Sequence, residues 1–164
     1  MPPGPTAAAV GADRRLCLAC GLSGLALWPS WSGAAEVLHV VVHAGNPLTV
    51  LTQRELVALY TGRTRAFPGG GPARVLDHPR DSPERQAFYL SLTGMDLPRI
   101  NSYWSRLHFT GQVQPPRTVA GDAAMRAELL HDPTAIGYLT QAPTDSGLRV
   151  VHQLRLAASP GAQP

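Results

Sequence analysis

The sequence predicts a single α/β domain in which helices flank a mixed sheet. Three observations predict it. Short β-branched runs alternate with segments of helical periodicity, and 164 residues suit one domain with a substantial core. Apolar residues make up 44% of the chain and charged residues 15%, which indicates a folded protein and argues against disorder. Because helices connect several of the strands, we expect much of the sheet to be parallel.

The domain begins with a strand and a capped helix. The run Val37–His43 (VLHVVVH) is rich in β-branched residues and is followed by a Gly-Asn-Pro turn, so it is predicted to be a buried strand. Thr52 and Glu55 have the T-x-x-E spacing of a capping box. A helix is therefore predicted to begin after Thr52, and Gly62 is expected to end it.

A loop, a second strand and a second helix follow. The glycine-rich segment Phe67–Pro72 predicts the loop, and Ala73–Leu76 predicts the strand. Ser82 precedes a Pro-Glu pair, which is the arrangement of a helix N-cap with proline and an acid in the first turn. This helix is predicted to run to Gly94.

The second half of the domain is predicted to hold two helices and two strands. A third helix starts near Pro98, and a Pro-Pro pair follows it. Asp122 is expected to open a fourth helix that ends near His131, before the strands Ala135–Leu139 and Leu148–Leu154. The third helix carries an apolar stripe at helical spacing, made of Ile100, Tyr103, Trp104 and Leu107.

Residues 1–35 are predicted to be a signal peptide. Arg14 and Arg15 precede the apolar stretch Leu16–Leu27, and small residues of a cleavage zone follow it. A helix of that length spans about 18 Å, which is shorter than a hydrocarbon core of about 30 Å. We expect a periplasmic or secreted protein with no stable membrane span after cleavage; a single membrane anchor is the alternative. The folded domain is then 36–155, and 156–164 is a flexible tail.

Composition excludes several classes of function. The only cysteines, Cys17 and Cys20, lie inside the predicted signal, so thiol chemistry is not expected in the mature chain. The net charge is +3, but the basic residues are spread out singly or in pairs, so no nucleic-acid partner is expected. No G-x-S-x-G motif, lysine or metal-ligand spacing is present. We therefore predict that the chain is not an enzyme, with no catalytic residue, metal or cofactor.

Three segments together are similar to the phosphate-binding proteins of ABC importers. Leu51–Gly62 (LTQRELVALYTG) resembles a helix of that family, Val75–Phe88 (VLDHPRDSPERQAF) its strand-to-helix phosphate loop, and Thr134–Leu139 (TAIGYL) its late G-A-I-G-Y strand. Further residues resemble a short phosphate-binding-like subfamily of secreted proteins, namely Trp104, Phe109, Gly111, Pro115 and Pro116. The resemblance implies one lobe of the type II periplasmic binding protein fold. It implies a small oxyanion such as phosphate as ligand, and an ABC permease or another envelope protein as partner.

The candidate oxyanion site is the start of the second predicted helix. Ser82 is its N-cap, and His78, Arg80 and Arg85 lie close to it in sequence, so the segment supplies hydroxyl, imidazole and guanidinium donors. Thr52, at the start of the first helix, offers another hydroxyl. Each residue also has a structural interpretation: Ser82 and Thr52 as helix caps, Arg85 on the helix surface, and Arg80 paired with Asp81. A metal-independent anion site at these five residues is the prediction to be tested.

A second hypothesis is a protein of the cell envelope that serves as a scaffold or partner-binding module and has lost its anion site. Glu84 places a negative charge at the start of the helix, and the glycine and threonine of the family's phosphate loop are replaced. A third hypothesis, a hydrolase, rests only on histidines and on loop carboxylates such as Asp77 and Asp81.

Overall fold

A computed structural model describes residues 37–111 and 113–156. The predicted signal peptide, and the predicted tail beyond Leu156, lie outside the described residues. Within them, no helix is long and apolar enough to cross a membrane. Along the chain the elements are β1 (Val37–His43), α1 (Gln53–Tyr60), β2 (Arg74–Asp77), α2 (Pro83–Thr93), α3 (Leu97–Phe109), β3 (Arg117–Thr118), α4 (Gly121–His131), β4 (Ala135–Leu139) and β5 (Leu148–Arg155).

The strands form one mixed sheet in the order β3-β2-β4-β1-β5. Strand β2 pairs in parallel with β3 and with β4, where Val75 lies opposite Ile136. Strand β1 pairs antiparallel with β4 and with β5, and Val40 lies opposite both Tyr138 and His152. The predicted fold class, a mixed sheet flanked by helices, is confirmed, and its parallel part is limited to β3, β2 and β4.

Successive side chains along each strand point to opposite faces of the sheet. Both faces therefore carry apolar residues, and helices cover both of them. Val40 and Val42 of β1 point into a core that they share with helices α1, α2 and α3. Val41, between them, belongs to a second core that packs against α4. The larger core also contains the aromatic side chains Tyr60, Phe67, Phe88, Tyr89, Trp104 and Tyr138. The result is a three-layer arrangement with α1–α3 on one face and α4 on the other.

Local sequence signals placed most of the elements correctly. Thr52 caps α1 in the predicted capping box with Glu55, and Ser82 caps α2, which ends at Gly94 in the left-handed conformation. Strand β2 begins one residue later than predicted and extends to Asp77. Strand β3 was not predicted. Helix α4 begins at Gly121 and has no side-chain cap.

The start of β4 is held beside β2 by a small polar cluster. Arg74 of β2 donates to the Asp132 carboxylate at 2.8 Å, and its backbone N–H donates to the carbonyl of Thr134 at 2.8 Å. Thr134 in turn donates its backbone N–H and its hydroxyl to Asp132 at 2.8 and 2.7 Å. The hydrogen bonds from Thr134 and Arg74 lower the pKa of Asp132 from 3.8 to about 2. The ionised carboxylate therefore stabilises the parallel pairing of β2 and β4.

We predict that Asp132→Asn destabilises the protein at neutral pH and that this difference shrinks in acid. Because folding lowers the pKa of Asp132, its stabilisation is complete above pH 4 and is lost as the pH falls through about 2. Urea unfolding of both proteins between pH 2 and 7 measures the difference. Asp81→Asn removes the same charge from an exposed position and controls for net charge. A difference that stays constant over this range would contradict the assignment.

Candidate functional site

The candidate site lies where the parallel strands end, which is where α/β sheets commonly bind ligands. Asp77 is the last residue of β2 and His78 follows it, five residues before the first residue of α2. Thr140 follows β4, and Asp122 lies in the first turn of α4. Polar side chains from two strand ends and two helix starts therefore meet at one edge of the sheet.

A buried carboxylate, that of Asp77, is the centre of this edge. Only 2% of Asp77 is exposed, yet four donors reach its two oxygens. Arg85 Nε donates to Oδ2 at 2.8 Å and the Tyr89 hydroxyl to the same oxygen at 3.0 Å. Oδ1 accepts from the Tyr138 hydroxyl at 2.7 Å and from the backbone N–H of His78 at 2.9 Å. The burial of this charge is therefore offset by a cation and by complete hydrogen bonding.

The guanidinium of Arg85 is the buried counter-charge, with 6% of the residue exposed. Its Nη1 donates to the carbonyl of Arg80 at 2.9 Å and to Asn101 Oδ1 at 2.8 Å, and its Cζ lies 5.0 Å from the ring centre of Tyr89. Nη2 has no partner within the described residues. The guanidinium is thus fixed on all sides except at this one nitrogen.

Burial also fixes the protonation states around the pair. Burial, and then the charge of Asp77, raise the pKa of Tyr89 and Tyr138 well above 10, so both hydroxyls keep their protons and donate. Burial alone would lower the pKa of Arg85, but the charge and hydrogen bond of Asp77 more than offset it, and the net pKa is raised. Arg85 therefore keeps its positive charge beside the Asp77 carboxylate.

His78 is buried behind this pair, with 1% of the residue exposed. Its Nε2 lies 3.1 Å from the carbonyl oxygen of Tyr138, so Nε2 carries a hydrogen, and it lies 3.4 Å from Asp122 Oδ1. The other carboxylate oxygen of Asp122 accepts from the backbone and hydroxyl of Thr140 at 3.0 and 2.6 Å. His78 therefore connects the ends of β2 and β4, and its imidazole is turned away from solvent.

Three of the five predicted site residues are brought together and two are not. Arg85 contacts Ser82 and Arg80 at the start of α2, whereas the His78 side chain lies between the ends of β2 and β4. Thr52 donates its hydroxyl to Glu55 at 2.6 Å. The side chain of the next residue, Gln53, lies 3.5 Å from the carbonyl of Leu92 in the last turn of α2. Ten residues of helix, about 15 Å, separate Leu92 from Ser82, so Thr52 belongs to the opposite end of α2.

At the start of α2, Arg80, Asp81 and Pro83 are exposed and Ser82 is partly exposed. Ser82 Oγ accepts from the backbone N–H of Arg85 at 3.2 Å and its hydroxyl hydrogen has no acceptor within the described residues. The Arg80 side chain is exposed, and its carbonyl accepts from Arg85. The sequence analysis missed the partners of Arg85. The only signal for them was an aspartate at the end of a buried strand, eight residues before an arginine.

Two grooves elsewhere do not overlap with this site. One, of about 580 Å³, lies between β3 and α4, and the other, of about 250 Å³, lies beside α1. Among the described residues, no group of three or more His, Asp or Glu side chains is placed to hold a metal ion. The first groove is lined by Arg117, Thr118, Val119, Ala120, Ala124, Ala127, Glu128 and His131.

Solved structures share this fold. A protein from Clostridium perfringens, described as a phosphate ABC transporter substrate-binding protein and determined with bound phosphate, is 19% identical, with a TM-score of 0.55 over 70% of this chain. An ABC-type phosphate transport receptor from Vibrio cholerae is 19% identical, with a TM-score of 0.53 over 70% of this chain. This chain covers 43% and 44% of them, which is less than half of their length. No protein-family model and no curated protein matches the sequence. At these identities the likeness shows the fold.

We predict that Asp77→Asn destabilises the protein by about 3–5 kcal/mol, because it leaves the Arg85 guanidinium buried without a counter-charge. In the double variant Asp77→Asn/Arg85→Met the loss is expected to be smaller, since no unpaired charge remains. Urea unfolding of the single and double variants measures this coupling. Equal losses in Asp77→Asn and in the double variant would show that the ion pair does not act as a unit.

We predict that Tyr138→Phe costs more stability than Tyr103→Phe. The Tyr138 hydroxyl donates to a carboxylate, which is worth about 1.5–3 kcal/mol, whereas that of Tyr103 donates to the carbonyl of Thr61 at 2.7 Å, worth about 0.5–1.5 kcal/mol. Both substitutions remove one hydroxyl from a ring in contact with the same core, so Tyr103→Phe is the matched control. Thermal or urea unfolding compares the two; the opposite ranking would argue against Asp77 as the centre of the cluster.

Proposed function

We propose that this chain is an exported, non-enzymatic solute-binding-like protein that binds a small oxyanion such as phosphate at the start of α2. The observation that carries the proposal is the Arg85 guanidinium, which is held rigidly behind the Ser82-capped end of that helix with Nη2 unpartnered. A fixed guanidinium and a helix N-terminus are both groups that bind oxyanions through charge-assisted hydrogen bonds.

Three donors at this end of α2 form no hydrogen bond to the described residues. They are the Ser82 hydroxyl, Arg85 Nη2 and the exposed Arg80 side chain. The helix dipole adds a partial positive charge at the same place. A small tetrahedral anion satisfies several of these donors at once, and a larger ligand is not required.

The same geometry limits the affinity. Asp77 cancels most of the charge of Arg85, and Glu84 lies in the first turn of α2. Solvent competes for these donors, because Arg80 is exposed and Ser82 is partly exposed. We expect binding in the high micromolar to millimolar range, of about −4 to −5.5 kcal/mol.

The fold shared with phosphate transport proteins supports the proposed ligand class and a role in, or derived from, an ABC phosphate import system. Since this chain covers less than half of those proteins, its partner is also a proposal: an ABC permease or another protein of the envelope. Export by residues 1–35 to the periplasm or beyond belongs to the same proposal.

We predict that Ser82→Asp weakens phosphate binding at least about ten-fold without destabilising the protein. Aspartate caps a helix as well as serine does, so α2 is kept, but its charge repels the anion and the hydroxyl donor is lost. Isothermal calorimetry with phosphate at constant ionic strength measures the affinity, and thermal unfolding checks the cap. Ser105→Asp adds the same charge on the exposed side of α3 and is expected to change the affinity less than two-fold.

A wild-type protein that shows no binding at 10 mM phosphate, and none with sulfate, would overturn the proposal. The alternative function, a scaffold or partner-binding module whose anion site is filled by its own Asp77 carboxylate, would then be the better explanation. Binding that is equally weak in Ser82→Asp and in Ser105→Asp would move the site away from the α2 start.

A further inference from the structure

The outer face of α3 is cationic and ends in an exposed aromatic ring. Arg99, Ser102, Arg106 and Phe109 recur every three or four residues, so they form one stripe along the helix, and all four are exposed. Ile100 and Trp104, on the other side of the helix, are buried in the core. The stripe, which we call the α3 outer face, is about 15 Å long.

The structure of the domain does not account for these charges. Neither Arg99 nor Arg106 forms an ion pair with any described residue. Arg106 lies in the last turn of α3, where the helix dipole favours a cation, but Arg99 lies in the first turn, where it disfavours one. Arg99 is therefore placed against the preference of its own helix.

Phe109 is equally unexplained by the fold. It is the last residue of α3 and is 94% exposed, whereas the other two phenylalanines, Phe67 and Phe88, are buried. A large apolar side chain in water stabilises nothing within the domain. Phe109 therefore offers an apolar ring for insertion beside Arg106.

We propose that the α3 outer face binds an anionic phospholipid surface, with the arginines on the headgroups and the Phe109 ring inserted at the interface. The charge of the face is complementary to such a surface, and each arginine near it contributes about five-fold in binding. A stable protein–protein interface buries about 800 Å² in total on each partner around an apolar core, whereas here a single ring protrudes from a polar stripe.

The proposal is independent of the oxyanion site. Asn101, which contacts Arg85, lies on the side of α3 opposite to Arg99 and Arg106. The two surfaces therefore use different faces of the same helix, and failure of one leaves the other intact.

The test uses fluorine NMR of the full chain labelled with 4-fluorophenylalanine. The sequence has three phenylalanines, so three resonances are expected, and Phe109→Leu assigns one of them. Bicelles that carry a gadolinium lipid and 30% phosphatidylglycerol are expected to broaden the Phe109 resonance more than those of Phe67 and Phe88, which lie in the core. Because the broadening falls steeply with distance from the bicelle surface, the order of the three resonances distinguishes binding through α3 from binding elsewhere in the chain.

Arginine variants supply the control. Arg99→Gln/Arg106→Gln is expected to raise the bicelle concentration needed for half-maximal broadening about 25-fold, whereas Arg54→Gln/Arg155→Gln, also exposed, leaves it within about five-fold. A Phe109 resonance that stays sharp with anionic bicelles overturns the proposal, and leaves a protein partner as the explanation for the face. Equal broadening by purely zwitterionic bicelles overturns it as well, because charge would then play no part.

Discussion

The ion pair between Asp77 and Arg85 is the constraint on which the rest of the structure depends. One carboxylate at the end of β2 accepts from α2 through Arg85 and Tyr89 and from β4 through Tyr138. Arg85 extends the network to α3 through Asn101. A buried charge needs all of these donors, because each missing one would leave it partly unsolvated. The network therefore links α2 and α3 to the ends of β2 and β4.

The same network defines what the start of α2 can do. A guanidinium held by three hydrogen bonds loses little conformational entropy on binding an anion, which favours affinity. Its charge is already neutralised by Asp77, which disfavours affinity. For the anion site that we propose at this helix end, rigidity and neutralisation therefore have opposite effects on affinity, and Ser82 and Arg80 supply the donors outside the network.

Local patterns in the sequence predicted the elements, and long-range contacts decided the site. The Thr52–Glu55 capping box and the Ser82 cap are contacts between residues three apart, so the sequence displays both partners together. By contrast, His78 is buried because β4 brings the Tyr138 carbonyl beside it, sixty residues away. Strand β3 consists of two exposed residues, and only their pairing with β2 identifies them as a strand. The separation of Thr52 from Ser82 follows from the packing of α1 along α2, which no short motif encodes.

The two proposed surfaces can act in one molecule, and the reason is the width of α3. An anionic bilayer depletes small anions within about a Debye length, about 8 Å at physiological ionic strength. Helix α3 is about 10 Å across with its side chains. Its outer face lies on one side, and Asn101, which accepts a hydrogen bond from Arg85, lies on the other. The start of α2 is thus beyond most of the negative potential of a surface bound through Arg99 and Arg106. When the chain is docked in this way, the start of α2 stays in solvent with the anion concentration of the bulk solution. Binding to a membrane would therefore not by itself prevent the binding of an oxyanion.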